Sequence, residues 1–312
     1  MAVTRFLGVD LAWRESRSDL PPNETGVAAL DPAGRVLEAG WTRGVPGTLA
    51  WAQAAAGGAG AVMFVDASLI VRNPAGQRLC ETQVGQRYGA WKVSAHSTNT
   101  RSPRLAGVRL LSVAEQAGWR YSDGSGGPPA GGQVLSESYP FCTLVGAAEL
   151  GYDRERPRYK RKPRSLPSAE WRHQRAANCD ELIRRLGGLA SADPPLRLDS
   201  SPVTRRLPAE PSPLGDAAYK HREDLIDALL CAWTAALWVR HGLRRCQVLG
   251  LPDAGGAAGT GAAGPAARPA ATIIVPARPA QRRPGAARER FMPSCEAAKP
   301  GRPYLTSATF ES

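Results

Sequence analysis

The sequence predicts an α/β fold: a mixed five-stranded sheet, three antiparallel strands followed by parallel additions, flanked by helices, with a loop-rich insertion and a disordered C-terminal tail. Three observations lead there. Two short runs of strand-forming apolar residues, RFLGVDLAW (5–13) and AVMFVDASLIV (61–71), each carry an Asp in their later half. Between them lie two further apolar runs about a short turn, the spacing of a hairpin, and then a helix-forming stretch. Far along the chain, YKHREDLIDALLCAWTAALWV (219–239) repeats its apolar residues at helical spacing and is rich in Ala, which predicts a long helix.

In chain order, the first strand carries Asp10 out of an apolar run, with Gly8 keeping the backbone uncrowded. A polar loop through Pro21, Pro22 and Asn23 leads to GVAALD (26–31), a turn at 31–34 and RVLEAGWT (35–42), which make a hairpin beside strand one. GTLAWAQAAA (47–56) is helix-prone and ends at Gly57 and Gly58, a natural stop. The strand at 61–71 then bears Asp66, and a right-handed crossover places it parallel in the sheet. Residues 72–132 are rich in Gly, Pro and Arg, with short helices expected at 79–88 and 112–118; they read as an excursion covering one edge of a site. QVLSESYP (133–140) is a short strand bearing Glu137, followed by a helix at 141–150. RERPRYKRKPR (154–164) holds seven basic side chains and one acid, either a solvated loop or a phosphate-contacting surface in which Lys160 and Lys162 are the residues to test. A helix at 169–186 and a Pro-rich link at 193–213 precede the long helix. Residues 252–270 form a flexible Gly/Ala insert, ATIIVP (271–276) a last strand, and 277–312 a disordered tail with weak charge-driven affinity for nucleic acid. One domain therefore spans 1–276.

The chain carries 40 Lys and Arg against 28 Asp and Glu, a net +12 that favours a polyanionic partner such as nucleic acid, unless the Arg-rich composition is a mere bias. The six cysteines (80, 142, 179, 231, 246, 295) include no C-x-x-C pair and no His at ligand spacing, which argues against a zinc site and gives no disulfide framework. MAVTRF runs straight into a strand, so no signal peptide is expected; the longest apolar helical run, 225–239, is too short to span a bilayer and contains Asp227. A cytoplasmic protein without membrane contact is the simplest expectation.

The acids are the chemistry. A bare Asp inside an apolar strand costs several kcal/mol unless a cation pairs with it. Asp224 and Asp227, three apart, share a helix face near the expected N-terminal end, where the helix dipole helps keep them ionised. They also read as ordinary capping residues. Yet Asp227 precedes Ala-Leu-Leu-Cys-Ala on a helix buried on most sides, so it needs a partner. Carboxylates from several elements are what a Mg²⁺ or Mn²⁺ site requires.

The ordered set FLGVDLAW, VDASLIVRNPAGQRLCE, LSESYP, EDLIDALLCAWTAA and TIIVP resembles the ribonuclease H-like fold and, within it, the RuvC-type resolvases. It is closer still to the predicted RNase H-like nuclease family known as domain of unknown function 429, over most of residues 4–276. The resemblance implies metal carboxylates at Asp10, Asp66, Asp224 and Asp227, with Glu137 a fifth catalytic member or a neighbour. Asp66 stands where resolvases commonly carry Glu, which shortens the reach by one carbon. Arg78, Glu81, His96 and Asn99, in the excursion, are second-tier substrate-binding candidates; Arg78 and Glu81 also fit a helical ion pair, and His96 a plain loop histidine.

Three functions compete. A metal-dependent nuclease would cleave phosphodiester bonds of DNA or RNA. A catalytically inactive nucleic-acid-binding module would keep the fold and bind in a salt-sensitive way without Asp10 and Asp227. A nucleotide-handling relative of sugar kinases and actin would need Gly-rich phosphate loops, and Asp10 is followed instead by Leu-Ala-Trp. Resolvases of this type are dimers, so a homodimer stays open, although nothing in the chain marks an interface.

Overall fold

The computed structural model describes residues 1–12, 23–103, 105–160, 166–252 and 269–282. Strand β1 (Val3–Asp10) pairs antiparallel with β2 (Glu24–Leu30), and β2 with β3 (Val36–Arg43). The β2–β3 turn is built by Asp31, whose Oδ1 accepts the backbone N–H groups of Ala33 and Arg35 at 2.9 Å each, and by Gly34 at φ +75°. Helix α1 (Gly44–Ala56) ends on Gly57 in the left-handed conformation and returns the chain to β4 (Gly60–Val65), parallel to β1 on its other side. β6 (Gln133–Glu137) adds parallel to β4, and β5 (Arg120–Tyr121) parallel to β6, giving the order β3-β2-β1-β4-β6-β5.

The remaining elements are α2 (Leu79–Tyr88), α3 (Ala106–Gln116), α4 (Pro140–Gly146), α5 (Ser168–Gly188), α6 (Pro202–Ala209), α7 (Asp216–His241), β7 (Cys246–Leu249) and β8 (Ile273–Pro276). Seven α-helices are present among the described residues. Alternation along the strands sorts the core into two layers. Leu7, Val9, Val27, Ala29, Met63 and Val65 pack against α1 and α3; Phe6, Ala28, Leu30, Val62 and Phe64 pack against α7, with α2, α4 and α5 around it. By the same parity Asp10 and Asp66 leave the sheet on the α7 side.

Helix α7 lies directly on the sheet because two strand positions have no side chain. A Cβ at Gly8 would sit 1.9 Å from the Ala228 carbonyl oxygen, and one at Gly26 2.2 Å from that of Asp224. Such distances are impossible contacts, so glycine at both positions is what lets the helix backbone touch β1 and β2. The approach buries α7 without interruption from Asp224 to Trp238. No helix among the described residues is long and apolar enough to cross a membrane.

Several expectations are corrected. The main sheet has six strands, not five: the two residues of β5, inside the 72–132 excursion, cover the otherwise open edge of β6. The strand at 271–276 does not join that sheet but pairs antiparallel with β7 as a separate ribbon. The excursion is not confined to one site edge, since α2 packs into the α7 layer and α3 into the opposite one. The Pro-rich link contains α6, which starts on Pro202, a residue suited to a first helical turn. Helices expected at 47–56, 112–118, 141–150 and 169–186 run instead over α1, α3, α4 and α5, with a short 3₁₀ turn (Ala148–Leu150) after α4. The long helix begins at Asp216 rather than 219, so Asp224 and Asp227 lie two to three turns inside it, beyond the reach of the N-terminal dipole. Lys162, the loop at 13–22, most of the Gly/Ala insert and nearly all of the tail lie outside the described residues.

Candidate metal centre

Asp10 ends β1 and Asp66 directly follows β4. Because these strands are parallel neighbours they stop at the same edge, where the Asp66 N–H donates to the Val9 carbonyl at 2.8 Å. Asp227 comes down from α7 onto the same point. One carboxylate oxygen from each of the three lies within 4.8 Å of the others. Asp66 and Asp227 are buried, Asp227 completely, while Asp10 is half-buried. Asp224 is also buried and interacts with Asp10, but it flanks the trio rather than joining it.

Two lysines and a tyrosine answer these four acids. Tyr159 Oη donates to Asp227 Oδ1 at 2.7 Å, and Lys160 Nζ pairs with Asp227 Oδ2. Lys220 pairs with Asp224 one helical turn away, and also with Glu223 at 3.2 Å. Tyr219 Oη donates to the Tyr159 carbonyl at 2.6 Å, tying the 159–160 segment to α7. The Lys160 ammonium also lies 5.1 Å from the Phe141 ring centroid, and the Arg156 guanidinium 4.2 Å from it.

Among the described residues four carboxylic acids face two ammonium groups in a buried place, and the acids respond by holding on to protons. Burial pushes the Asp66 carboxyl up to about 8, with repulsion from Asp10 adding to it and Lys160 opposing it. Burial likewise pushes Asp224 up to about 8, again with Asp10 adding and Lys220 opposing. This reverses the expectation that the helix dipole keeps Asp224 ionised. Burial works against the Lys220 ammonium, but the negative charge of Asp10, Glu223 and Asp224 outweighs it and raises its pKa. A donor set of carboxylate oxygens, without thiolate or imidazole, in a site short of positive charge, fits a hard divalent cation. Asp10, Asp66 and Asp227 are the residues that could hold it.

The other sequence candidates fall elsewhere. Glu137 pairs in register with Val65, one residue out of step with Asp66, so it leaves the sheet by the opposite parity. Its carboxylate accepts two bonds from Arg78, at 2.8 and 2.7 Å, and one from the Leu69 N–H at 3.2 Å. Arg78 also pairs with Glu81 at 2.9 Å and caps α2, and Glu81 accepts the Thr98 N–H at 3.1 Å. Arg78, Glu81 and Glu137 thus form one buried network beside the trio. Asn99 Oδ1 accepts the Arg101 N–H at 3.1 Å and shapes its own loop, where His96 is exposed. Tyr159 and Lys220 have no place among the sequence candidates. Lys220 carries a signal, its i,i+4 spacing to Asp224; Tyr159 has only its place beside Lys160.

A family described as protein of unknown function (DUF429) matches residues 8–249. The chain belongs to that family. No curated protein and no solved structure matches it.

Proposed function

We propose that the protein is a cytoplasmic, metal-dependent nuclease of ribonuclease H-like fold that hydrolyses phosphodiester bonds of DNA or RNA. The observation that carries this reading is the convergence of Asp10, Asp66 and Asp227, from two strand ends and a helix, onto one buried point. The sheet order supports it too: an antiparallel hairpin beside β1, and β4 and β6 parallel beyond it, is the layout that the resemblance implies. Mg²⁺ or Mn²⁺ held by the three aspartates, with Asp224 at its flank, would supply Lewis acidity and lower the pKa of a water at the scissile phosphate. Tyr159 and Lys160 fix the orientation of Asp227, Lys220 balances Asp224, and the packing of α7 on β1 keeps bulk water from behind the acids. Lys160 belongs to the basic 154–164 run, and Arg156 of that run shares the Phe141 ring with it, which would set basic side chains beside the acids for a phosphate backbone.

One observation favours the second reading, a binding module without catalysis: both oxygens of Asp227 already accept bonds from protein donors. Cleavage of labelled single-stranded, duplex and branched DNA and RNA, with Mg²⁺ or Mn²⁺ and with EDTA, separates the two. Metal-dependent cutting that disappears in folded Asp10→Asn and Asp227→Asn is expected. Uncut substrates bound equally by wild type and variants would instead establish the binding module.

A further inference from the structure

A groove lies beside the 152–158 segment that leads into Lys160. Residues 152–158 and helix α5 line this open groove of about 540 Å³, within the range of ligand sites. Tyr152 lines it, nine-tenths buried, and its hydroxyl, itself enclosed, has no hydrogen-bond partner among the described residues. A buried phenol left unsatisfied is costly, and native structures keep few of them. From α5 the cavity receives two amides one turn apart, Gln174 and Asn178. Asn178 Nδ2 donates to the Gln174 carbonyl at 2.8 Å, which leaves its Oδ1 as an acceptor. Arg156 and Arg158 line the cavity from the loop, and Arg185 lies 4.4 Å from the Tyr152 ring centroid. Of the two acids present, Glu181 is taken by Arg184 and Arg185 at 2.6 and 2.7 Å, and Glu155 faces Arg158 at 3.6 Å.

A short chain of side chains links the cavity to the metal centre. Arg156 stacks on Phe141, Lys160 lies over the same ring, and Lys160 reaches Asp227. Guanidinium groups suit a phosphate; two amides and a phenol, which both donate and accept, suit the edge of a base. We propose that this cavity binds one unpaired nucleotide of the strand that crosses the aspartates, its phosphate toward Arg156 and Arg158 and its base toward Tyr152, Gln174 and Asn178. The assignment rests on the nucleic-acid reading above, though not on catalysis. It names the substrate class as a strand with at least one unpaired nucleotide beside the cleavage point.

The test is fluorescence anisotropy of the full chain with labelled single-stranded and fully duplex oligonucleotides in EDTA, where no cutting occurs. Wild type should prefer the single strand. Gln174→Ala with Asn178→Ala should weaken single-strand binding about tenfold, and Arg158→Ala should lower the slope of log affinity against log salt by about one. Tyr152→Phe is the decisive variant. A hydroxyl that served only the fold would have a partner in it, so this change should leave the melting temperature unaltered or raised while affinity drops several-fold. Equal binding by wild type and these variants, no binding by wild type, or a duplex preference each overturns the proposal. Asp10→Asn, bound in the same EDTA assay and tested for cutting in a separate reaction with Mg²⁺ or Mn²⁺, keeps the two readings apart: lost cutting with retained binding speaks for the metal centre, and lost binding in the cavity variants speaks for the nucleotide site.

Discussion

Two groups of buried acids lie at the same end of the sheet, a register step apart, and they are settled in opposite ways. Glu81 and Glu137 share Arg78, whose guanidinium makes paired bonds to Glu137, and backbone N–H groups of Leu69 and Thr98 fill further acceptor sites. Burial still raises Glu137 above its ordinary value, but Arg78 opposes it at once with charge and hydrogen bonds. Asp10, Asp66, Asp224 and Asp227 outnumber their ammonium partners, and two of them are pushed to about 8. A buried carboxylate satisfied by a guanidinium and backbone donors holds a loop in place. A buried carboxylate in excess of its cations is pushed to hold its proton, and a bound cation would take that proton's place.

The largest effect that would undo this contrast is on stability. Arg78→Met leaves Glu81 and Glu137 buried and unpaired and should cost about 3 to 5 kcal/mol in chemical denaturation. Asp66→Asn, which removes one of the repelling acids, should leave stability unchanged or raised. A loss in Asp66→Asn as large as in Arg78→Met would erase the distinction. Next is Gly8→Ala, whose Cβ would strike the Ala228 carbonyl; lifting α7 should cost about 3 kcal/mol and abolish metal binding along with it. Calorimetric titration of Mn²⁺ into any folded fraction checks the second half.

A change of pH separates the two groups further. Asp66 and Asp224 hold protons in the folded state up to about 8, whereas unfolded carboxylates release them near 4. Between those limits the native state binds more protons, so without metal the stability should fall as pH rises, by up to about 1.4 kcal/mol per pH unit for each group. Binding of a cation needs the ionised acids, so Mg²⁺ or Mn²⁺ affinity should rise over the same window. At a hundredfold excess over the dissociation constant the ion should restore about 2.7 kcal/mol. Melting curves from pH 5 to 9, with and without metal, would show the two trends, and a stability that rises with pH in the absence of metal would refute the charge excess. The smallest effect is Tyr159→Phe, which removes one donor to Asp227 and should cost about 1 kcal/mol while loosening metal affinity; unchanged affinity would mean that Tyr159 does not orient the acid.

Much of this architecture is legible in the amino-acid pattern. The alternation of FLGVD and AVMFVD marks two buried strands each carrying an acid, and the Ala-rich periodicity of 219–239 marks the helix that meets them. The edge strand β5, only two residues long, has no pattern to read, and β7 has too short a run to stand out. Glu137 misleads for a physical reason: an acid at the end of a parallel strand looks alike in either register, and the face it takes depends on pairing that the local sequence does not encode.

Local sequence settles which acids leave apolar elements, because hydrophobic periodicity says that a carboxylate at Asp10, Asp66 or Asp227 must emerge from a core. It also marks Gly8 as a place where the backbone is bare. Which acids meet is a property of the folded chain. Gly8 and Gly26 admit the backbone of α7 to contact with the sheet, register turns Glu137 away toward Arg78, and Lys160 returns from a distant loop to face Asp227. Charge balance is summed over elements that are neighbours only in space, so the excess that defines the candidate site exists only once the chain is folded.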